Sequence, residues 1–266
     1  MPAPGNETGR GRPTVPGVHD WEVALAAARA GAEVVRAWFG RAPDPEFKRF
    51  GDPVTLADRE SEAAVLEMIH RHRPADAILS EEAGAAGSAG GRRWVVDPLD
   101  GTVNFVHGVP LCAVSVALED ERGPAVGVVV DVLGGDEYVA ARGEGAQCSG
   151  RPIAVSATAD LGRALFSTGF PYDRHQGAAG YTASVAAVLD VTQGVRRTGS
   201  ACLDLAWVAC GRYEGHWEFG LQPWDVAAGI LLVVEAGGRA TDSRGGPPRP
   251  AEIVASNGHL HEALLA

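Results

Sequence analysis

Apolar positions recur along this chain with two different periods, and the elements follow from where each period holds. Over residues 19–39 they fall at steps of three and four (Trp21, Leu25, Ala28, Ala32, Val35, Phe39). That spacing predicts a helix with Asp20 as its N-cap and Gly40 as its stop. A loop holding Pro43 and Pro45 leads to the stretch 48–53. A second helix is predicted over about residues 55–70, with Val65, Met68 and Ile69 on its apolar side, ending before Pro74. A short strand at 77–79 runs into Ser80-Glu81-Glu82. Residues 83–91 are almost all Ala, Gly and Ser, the composition of a mobile surface loop. Residues 94–96 predict a buried strand that stops at Asp97. The alternating runs 113–119 and 126–132 predict neighbouring antiparallel strands, and 137–141 and 153–156 extend the same strand-rich part.

Beyond residue 160 the periods alternate. Strands are predicted at 164–168, 195–197, 216–219, 239–241 and 253–255, with helices at 181–189, 201–210, 226–236 and the C-terminus. There is no internal repeat and no Pro/Ser linker. The pattern is that of a mixed α/β (α+β) chain with helices layered on sheets.

Composition narrows the functional classes. Of 266 residues, 45% are hydrophobic and 21% charged, the balance of an ordinary globular protein with a substantial core. Residues 1–18, rich in Pro and Gly, are expected to be a flexible tail, leaving residues 19–266 as one domain. The formal net charge is −11 and lysine and arginine do not cluster, which argues against nucleic acid as the main partner. A small phosphorylated ligand stays compatible, since a bound divalent cation inverts the local charge. The cysteines at 112, 148, 202 and 210 form no Cys-x-x-Cys pair and read as small buried hydrophobes. No apolar run reaches membrane-spanning length and the N-terminus has no apolar signal core, so a cytoplasmic protein without a membrane partner is expected.

Candidate chemistry sits among the acids. In Trp94-Val95-Val96-Asp97-Pro98-Leu99-Asp100-Gly101-Thr102, a strand ends in two carboxylates three residues apart with Pro98 bending the chain between them. Such a bend can aim both at one point. Carboxylate oxygens with a backbone carbonyl are the donor set of a hard cation such as Mg2+. Gly101 frees the backbone, and Thr102 opens a predicted helix whose N–H groups suit an anion. Taken alone, Asp-x-x-Asp-Gly is also an ordinary turn. Glu81 and Glu82 end a strand and face either water or metal; for Glu82, water is the expectation. Asp225, after Pro223-Trp224, opens an apolar helix where an N-cap would also place an acid. Asp58 lies in the first turn of its helix, where the dipole favours it anyway. Each acid has a bland explanation, but their joint order along the chain does not.

That order resembles the inositol monophosphatase superfamily from about Trp21 to Leu265. Asp97-Pro98-Leu99-Asp100-Gly101-Thr102-Val103-Asn104-Phe105 is similar to the family's first signature, and Trp224-Asp225-Val226-Ala227-Ala228-Gly229, with Glu235-Ala236-Gly237-Gly238, to its second. Lys48, Asp52-Pro53-Val54-Thr55 and Asp58 resemble the N-terminal motif, and Glu81-Glu82 the acidic pair. The resemblance implies a layered αβαβα sandwich built from two αβ halves, about 19–155 and 156–266, that share the site at their junction. It implies one Mg2+ held by Glu81, Asp97 and the Leu99 carbonyl, and a second held by Asp97, Asp100 and Asp225. A third, weaker ion belongs near Glu81. Two such ions about 3.5–4 Å apart clamp an in-line displacement. Metal-activated water is the implied nucleophile, with Thr102 and Asp58 orienting it and Asp58 accepting its proton. The N–H groups of Gly101 and Thr102 are the implied phosphate cradle. A homodimer and sensitivity to lithium are further family expectations.

Substrate contacts are also carried by position. Gly199, Ser200 and Ala201 fall where the family lines the pocket for substrate hydroxyls. Glu218, seven residues before Asp225, falls where a carboxylate accepts hydrogen bonds from ring hydroxyls, although an exposed strand residue is the plain alternative. Inositol 1-phosphate is the expected substrate. Histidinol phosphate, fructose 1,6-bisphosphate and a 3′-phosphonucleotide are alternatives, and a metal-binding regulatory protein without turnover is the rival of another class. His107 reads as a solvated loop residue, Arg196 and Arg197 as substrate, subunit or surface contacts, and Trp94, Trp207 and Trp224 as core aromatics.

Overall fold

Alternate valines in the middle of the chain point to opposite sides of one sheet, and this divides the molecule into layers. The computed structural model describes residues 18–41, 44–49, 51–87, 91–172 and 177–266. The expected tail lies outside them up to residue 17, as does Pro43. Helix α1 (Asp20–Trp38) is followed by a hairpin of β1 (Glu46–Arg49) and β2 (Asp52–Val54), then by α2 (Leu56–His72). Next come β3 (Ala77–Ser80), β4 (Gly84–Ala86), β5 (Arg93–Asp100), α3 (Thr102–Val106), β6 (Ala113–Asp120), β7 (Gly123–Asp131), β8 (Glu137–Ala141), β9 (Gly145–Cys148) and β10 (Arg151–Pro152). After a 3-10 turn at Leu161–Arg163 the chain forms β11 (Leu165–Thr168), α4 (Ala178–Val191), β12 (Gly194–Arg196), α5 (Ala201–Ala209) and β13 (Gly215–Phe219). It ends with α6 (Pro223–Glu235), β14 (Arg239–Thr241), β15 (Glu252–Ser256) and α7 (His261–Leu265).

One sheet has eight strands in the order β10-β9-β8-β7-β6-β5-β3-β4, antiparallel except for the β3–β5 pair. The other has five, β12-β11-β13-β15-β14, with β11 parallel to both its neighbours. Side chains alternate across a strand, so Val96, Val116, Val128 and Val130 pack against α1 and α2, while Val95, Ala117 and Val129 pack against α5 and α6. The same two helices meet Ile253 and Ala255 of the second sheet, whose other face carries Phe166, Trp217 and Val254 towards α4 and α7. The order is therefore helices, sheet, helices, sheet, helices: an α/β sandwich. Gly127 makes the central contact possible, because a Cβ there would fall 2.7 Å from the Ala228 carbonyl of α6. Among the described residues, no helix is long and apolar enough to cross a membrane.

Several expectations are corrected. His19, with an extended backbone, caps α1, and Glu22 closes the turn by accepting from its N–H at 2.8 Å. Asp20 sits inside the first turn and pairs with Arg73 and Arg92, each at 2.8 Å. Within the loop expected at 83–91, Gly84–Ala86 pairs with β3 as an edge strand, and residues 88–90 lie outside the described set. Residues 153–156 form no strand: Ile153 N–H donates to Ala146 and Val155 N–H to Ala236, two different partners rather than one ladder. The strand through Asp97 does not stop there. It runs to Asp100, pairing Asp97 with Ser115 and Asp100 with Ala113, so one extra residue is bulged out around Pro98, which has no N–H to give the ladder.

Candidate active site

That bulge turns the two aspartates, which a regular strand would send to opposite faces, towards one place. Ligand atoms of Asp97, Asp100 and Cys202 lie within 4.8 Å of one another. Gly101 follows in the left-handed region (φ 87°), where a side chain would also meet the Leu111 carbonyl at 2.8 Å. Thr102 then opens α3, and its hydroxyl lies 2.9 Å from the Leu99 carbonyl and 3.0 Å from Asp58 Oδ1. Asp58 reaches it from the first turn of α2. Its Oδ2 accepts from Thr55 N–H at 2.7 Å and Thr55 Oγ1 at 2.6 Å, a capping box that fixes the carboxylate.

The remaining acids arrive from three other elements. Asp225 is the third residue of α6, with Gln222 as N-cap, so the N-cap reading of Asp225 is corrected. Its Oδ2 accepts from Gln222 N–H at 2.7 Å. Glu81 follows β3 on a turn held by buried Glu62, whose Oε1 accepts from Ser80 Oγ and from the N–H groups of Glu82 (3.2 Å) and Ala83 (3.0 Å). Lys48 of β1 reaches over to Glu81 at 2.9 Å and also pairs with Glu82. Glu82 therefore does not simply face water, because the hairpin supplies it a cation. Glu218 is a buried residue of β13, not an exposed one.

A cleft of about 420 Å3 collects these groups. Glu81, Asp97, Leu99, Asp100, Gly101, Thr102, Gly199, Ala201, Glu218 and Asp225 line it. Asp58 and Ser200 do not. Asp58 stands behind Thr102, and Ser200, expected among the pocket-lining residues, has its hydroxyl committed to Asp100 Oδ2 at 2.5 Å while capping α5. Arg49, Tyr172, Arg197, Gln222 and Trp224 also line the cleft; of these, only Arg197 was singled out from sequence as a possible substrate contact. The guanidinium of Arg49 stacks 5.4 Å above the Tyr172 ring, joining the hairpin to the opposite wall. His107 is exposed, and Trp94 is fully buried.

Electrostatics mark the acids as a group. Burial raises the Asp97 carboxyl well above its ordinary pKa, and Glu81, Asp100 and Asp225 add to the rise. Burial likewise lifts Asp225 well above the usual range and Asp100 to about 6, the latter against hydrogen bonds from Ser200 and Cys202. Glu81 is pushed to about 7 by burial, although Lys48 opposes it. Asp58 is raised by burial and partly restored by Thr55 and Thr102. Carboxylates brought together this way need positive charge to stay ionised. Oxygen donors suit a hard divalent cation, whereas the Cys202 thiol, kept neutral chiefly by burial, does not.

The profile of the inositol monophosphatase family matches residues 19–266. The chain belongs to that family. An inositol-1-monophosphatase of Synechocystis is 44% identical over 247 residues, covering 91% of this chain and 86% of its own. A Pseudomonas aeruginosa protein named Nus factor SuhB is 40% identical over 252 residues, covering 91% and 93%. The solved inositol monophosphatase of Anabaena superposes with a TM-score of 0.84 at 42% identity, covering 92% of this chain and 93% of that one. As a member of the inositol monophosphatase family, the chain is a phosphoric monoester hydrolase.

One group of the site belongs to no motif in the sequence. His216 and Asp204 lie directly behind Glu218, both buried. The only signal was spacing, since His216 stands two residues before Glu218 on a strand and must share its face.

Proposed function

We propose that this phosphatase hydrolyses the phosphate monoester of a small polyol, with inositol 1-phosphate the first choice, using Mg2+ held by Glu81, Asp97, the Leu99 carbonyl, Asp100 and Asp225. The observation that carries the reading is the convergence of four mutually destabilised carboxylates on one cleft beside the Thr102–Asp58 pair. The donor set fits the cation. Bound Mg2+ would neutralise the phosphate and lower the pKa of a nearby water.

The chain's own residues do the rest. Thr102 Oγ1 orients the attacking water, and Asp58 Oδ1 takes up the proton, its other oxygen being held by Thr55. The backbone N–H groups of Gly101 and Thr102 donate to phosphate oxygens. Ser200 and the Cys202 N–H, both on Asp100 Oδ2, hold that carboxylate in place. Glu218 accepts hydrogen bonds from the polyol's hydroxyls, with Gly199 and Ala201 forming the adjacent wall.

The test is phosphate release with Mg2+ from inositol 1-phosphate, histidinol phosphate, fructose 1,6-bisphosphate and 3′-phosphoadenosine 5′-phosphate. The expected result is the highest kcat/KM for inositol 1-phosphate. A higher value for another ester overturns the substrate and leaves the metal assignment standing. A second reading, regulatory binding without turnover, has in its favour relatives named Nus factor SuhB; it requires that none of the four esters be hydrolysed.

A further inference from the structure

Behind Glu218, away from the cleft, lies a buried polar cluster that the reaction does not yet use. His216 and Glu218 leave the same face of β13, while Trp217 between them enters the apolar layer with Phe166 and Val254. His216 is fully buried. Its Nδ1 lies 3.0 Å from Ser167 Oγ and 3.8 Å from Asp204 Oδ2, and its Nε2 lies 3.5 Å from Glu218 Oε2. Asp204, on α5, accepts from Thr198 Oγ1 at 2.8 Å. His216 Nε2 and Asp204 Oδ1 are the two atoms of this cluster with no hydrogen bond of their own.

A buried imidazole with one nitrogen turned to a cleft carboxylate and the other to a second carboxylate is placed to act through them. Burial works against its charged form, yet Glu218 close to Nε2 and the charges of Asp204 and more distant Asp100 together hold its pKa above the ordinary value. Burial lifts Asp204 to about 7, with His216 opposing the rise. On the cleft side, the Glu218 charge adds to the raised pKa values of Asp100 and Asp225. Those acids repel the Glu218 carboxylate, whereas His216, 3.5 Å away, attracts it when protonated. Gly169 completes the seat, since a Cβ there would lie 2.0 Å from Glu218 Oε1.

We propose that His216 is a positioning residue for Glu218: Ser167 and Asp204 fix the ring, and its Nε2 holds the Glu218 carboxylate at the hydroxyl-binding side of the cleft, away from the metal-binding acids. The inference rests on the reading of Glu218 as the acceptor of substrate hydroxyls. It makes His216 a determinant of preference for polyol esters, without contact to the substrate.

The experiment compares kcat and KM for inositol 1-phosphate and for p-nitrophenyl phosphate, an ester with no hydroxyl to offer. His216→Phe is made together with Asp204→Asn, so that Asp204 is not left as a buried carboxylate without its cation and only the Glu218 contact is tested. His216→Gln, whose amide can still donate towards Glu218, is the conservative second variant, and thermal melting monitors the fold of each. The expected result is a fall of about tenfold in the inositol-to-nitrophenyl ratio of kcat/KM, carried by KM, in the double variant, with part of the ratio recovered in His216→Gln. Adding Glu218→Gln to the double variant should lower the ratio no further. A ratio within about twofold of the parent's, while Glu218→Gln alone lowers it, overturns the positioning role and leaves the Glu218 contact standing. An unaltered ratio in Glu218→Gln alone removes that contact, and the inference with it. Equal loss on both esters with a lowered melting temperature marks His216 as structural and also overturns the proposal.

Discussion

The hydroxyl of Thr102 lies 3.0 Å from Asp58 Oδ1, joining the start of α3 to the first turn of α2 across the wall of the cleft. Both side chains are buried, and the other oxygen of Asp58 is fully engaged by Thr55. Only Oδ1 is therefore available to take a proton passed through Thr102. Asp58→Asn keeps the shape and removes that capacity, so kcat should fall by about 10²–10⁴. Thr102→Ala should lose a similar amount, Thr102→Ser should keep most activity, and the Asp58→Asn/Thr102→Ala pair should be no worse than either alone. Steady-state phosphate release on the four proteins decides it; independent, multiplying losses would separate the two residues.

Asp97 is the acid most surrounded by others, with Glu81, Asp100 and Asp225 all raising its pKa. Replacing it by Asn should nearly abolish turnover and weaken Mg2+ binding in calorimetry. The metal-free protein should melt at the same temperature or higher, since a buried charge among like charges has been removed. Near-normal turnover in Asp97→Asn would sink the assignment of this residue to the metal.

How much of this was legible depended on whether a side chain or a partner sets the conformation. Asp97-Pro98-Leu99-Asp100-Gly101-Thr102 announces its bend locally, through Pro and Gly. The alternating valines of 126–132 announce a strand buried on both faces. By contrast, Gly145–Cys148 and Gly84–Ala86 carry no β-branched or aromatic residue and are strands only because β8 and β3 offer them a ladder. Ile153 and Val155 have strand-like side chains but serve the central core instead. Periodicity placed α5 and α6 as helices without saying that both sheets would close on them. Position along the chain puts Ser200 among the pocket residues, whereas its hydrogen bond to Asp100 emerges only in three dimensions.

Gly127 tests how tightly the site depends on that central layer. A Cβ on it would lie 2.7 Å from the Ala228 carbonyl and 2.9 Å from Ala228 Cα, both backbone atoms that cannot swing aside. Gly127→Ala should therefore push α6 from the sheet and cost about 2 kcal/mol in chemical denaturation. Because α6 carries Asp225 on its first turn, Mg2+ affinity should fall as well, although residue 127 does not line the cleft. A variant of unchanged stability would mean that the helix relaxes without strain.

The same carboxylates make the stability of the metal-free protein depend on pH in an unusual sense. Burial raises Asp100 from 3.8 to about 6 and Glu81 from 4.5 to about 7, so the folded chain binds these protons more tightly than the unfolded one. Their contribution is fully present below about pH 4 and is lost as the pH rises through those folded values, each on the order of 3 kcal/mol if independent and less in sum because they interact. The metal-free protein should therefore lose melting temperature between about pH 5 and about pH 8, a window in which ordinary carboxylates no longer titrate. Mg2+ competes with the same protons, so the rise in melting temperature that it produces should be larger at the higher pH. Thermal melts at both ends of that window, each with Mg2+ and with a chelator, measure both effects together. A metal-induced rise that is equal at the two pH values would mean that the cation is held by groups other than these acids.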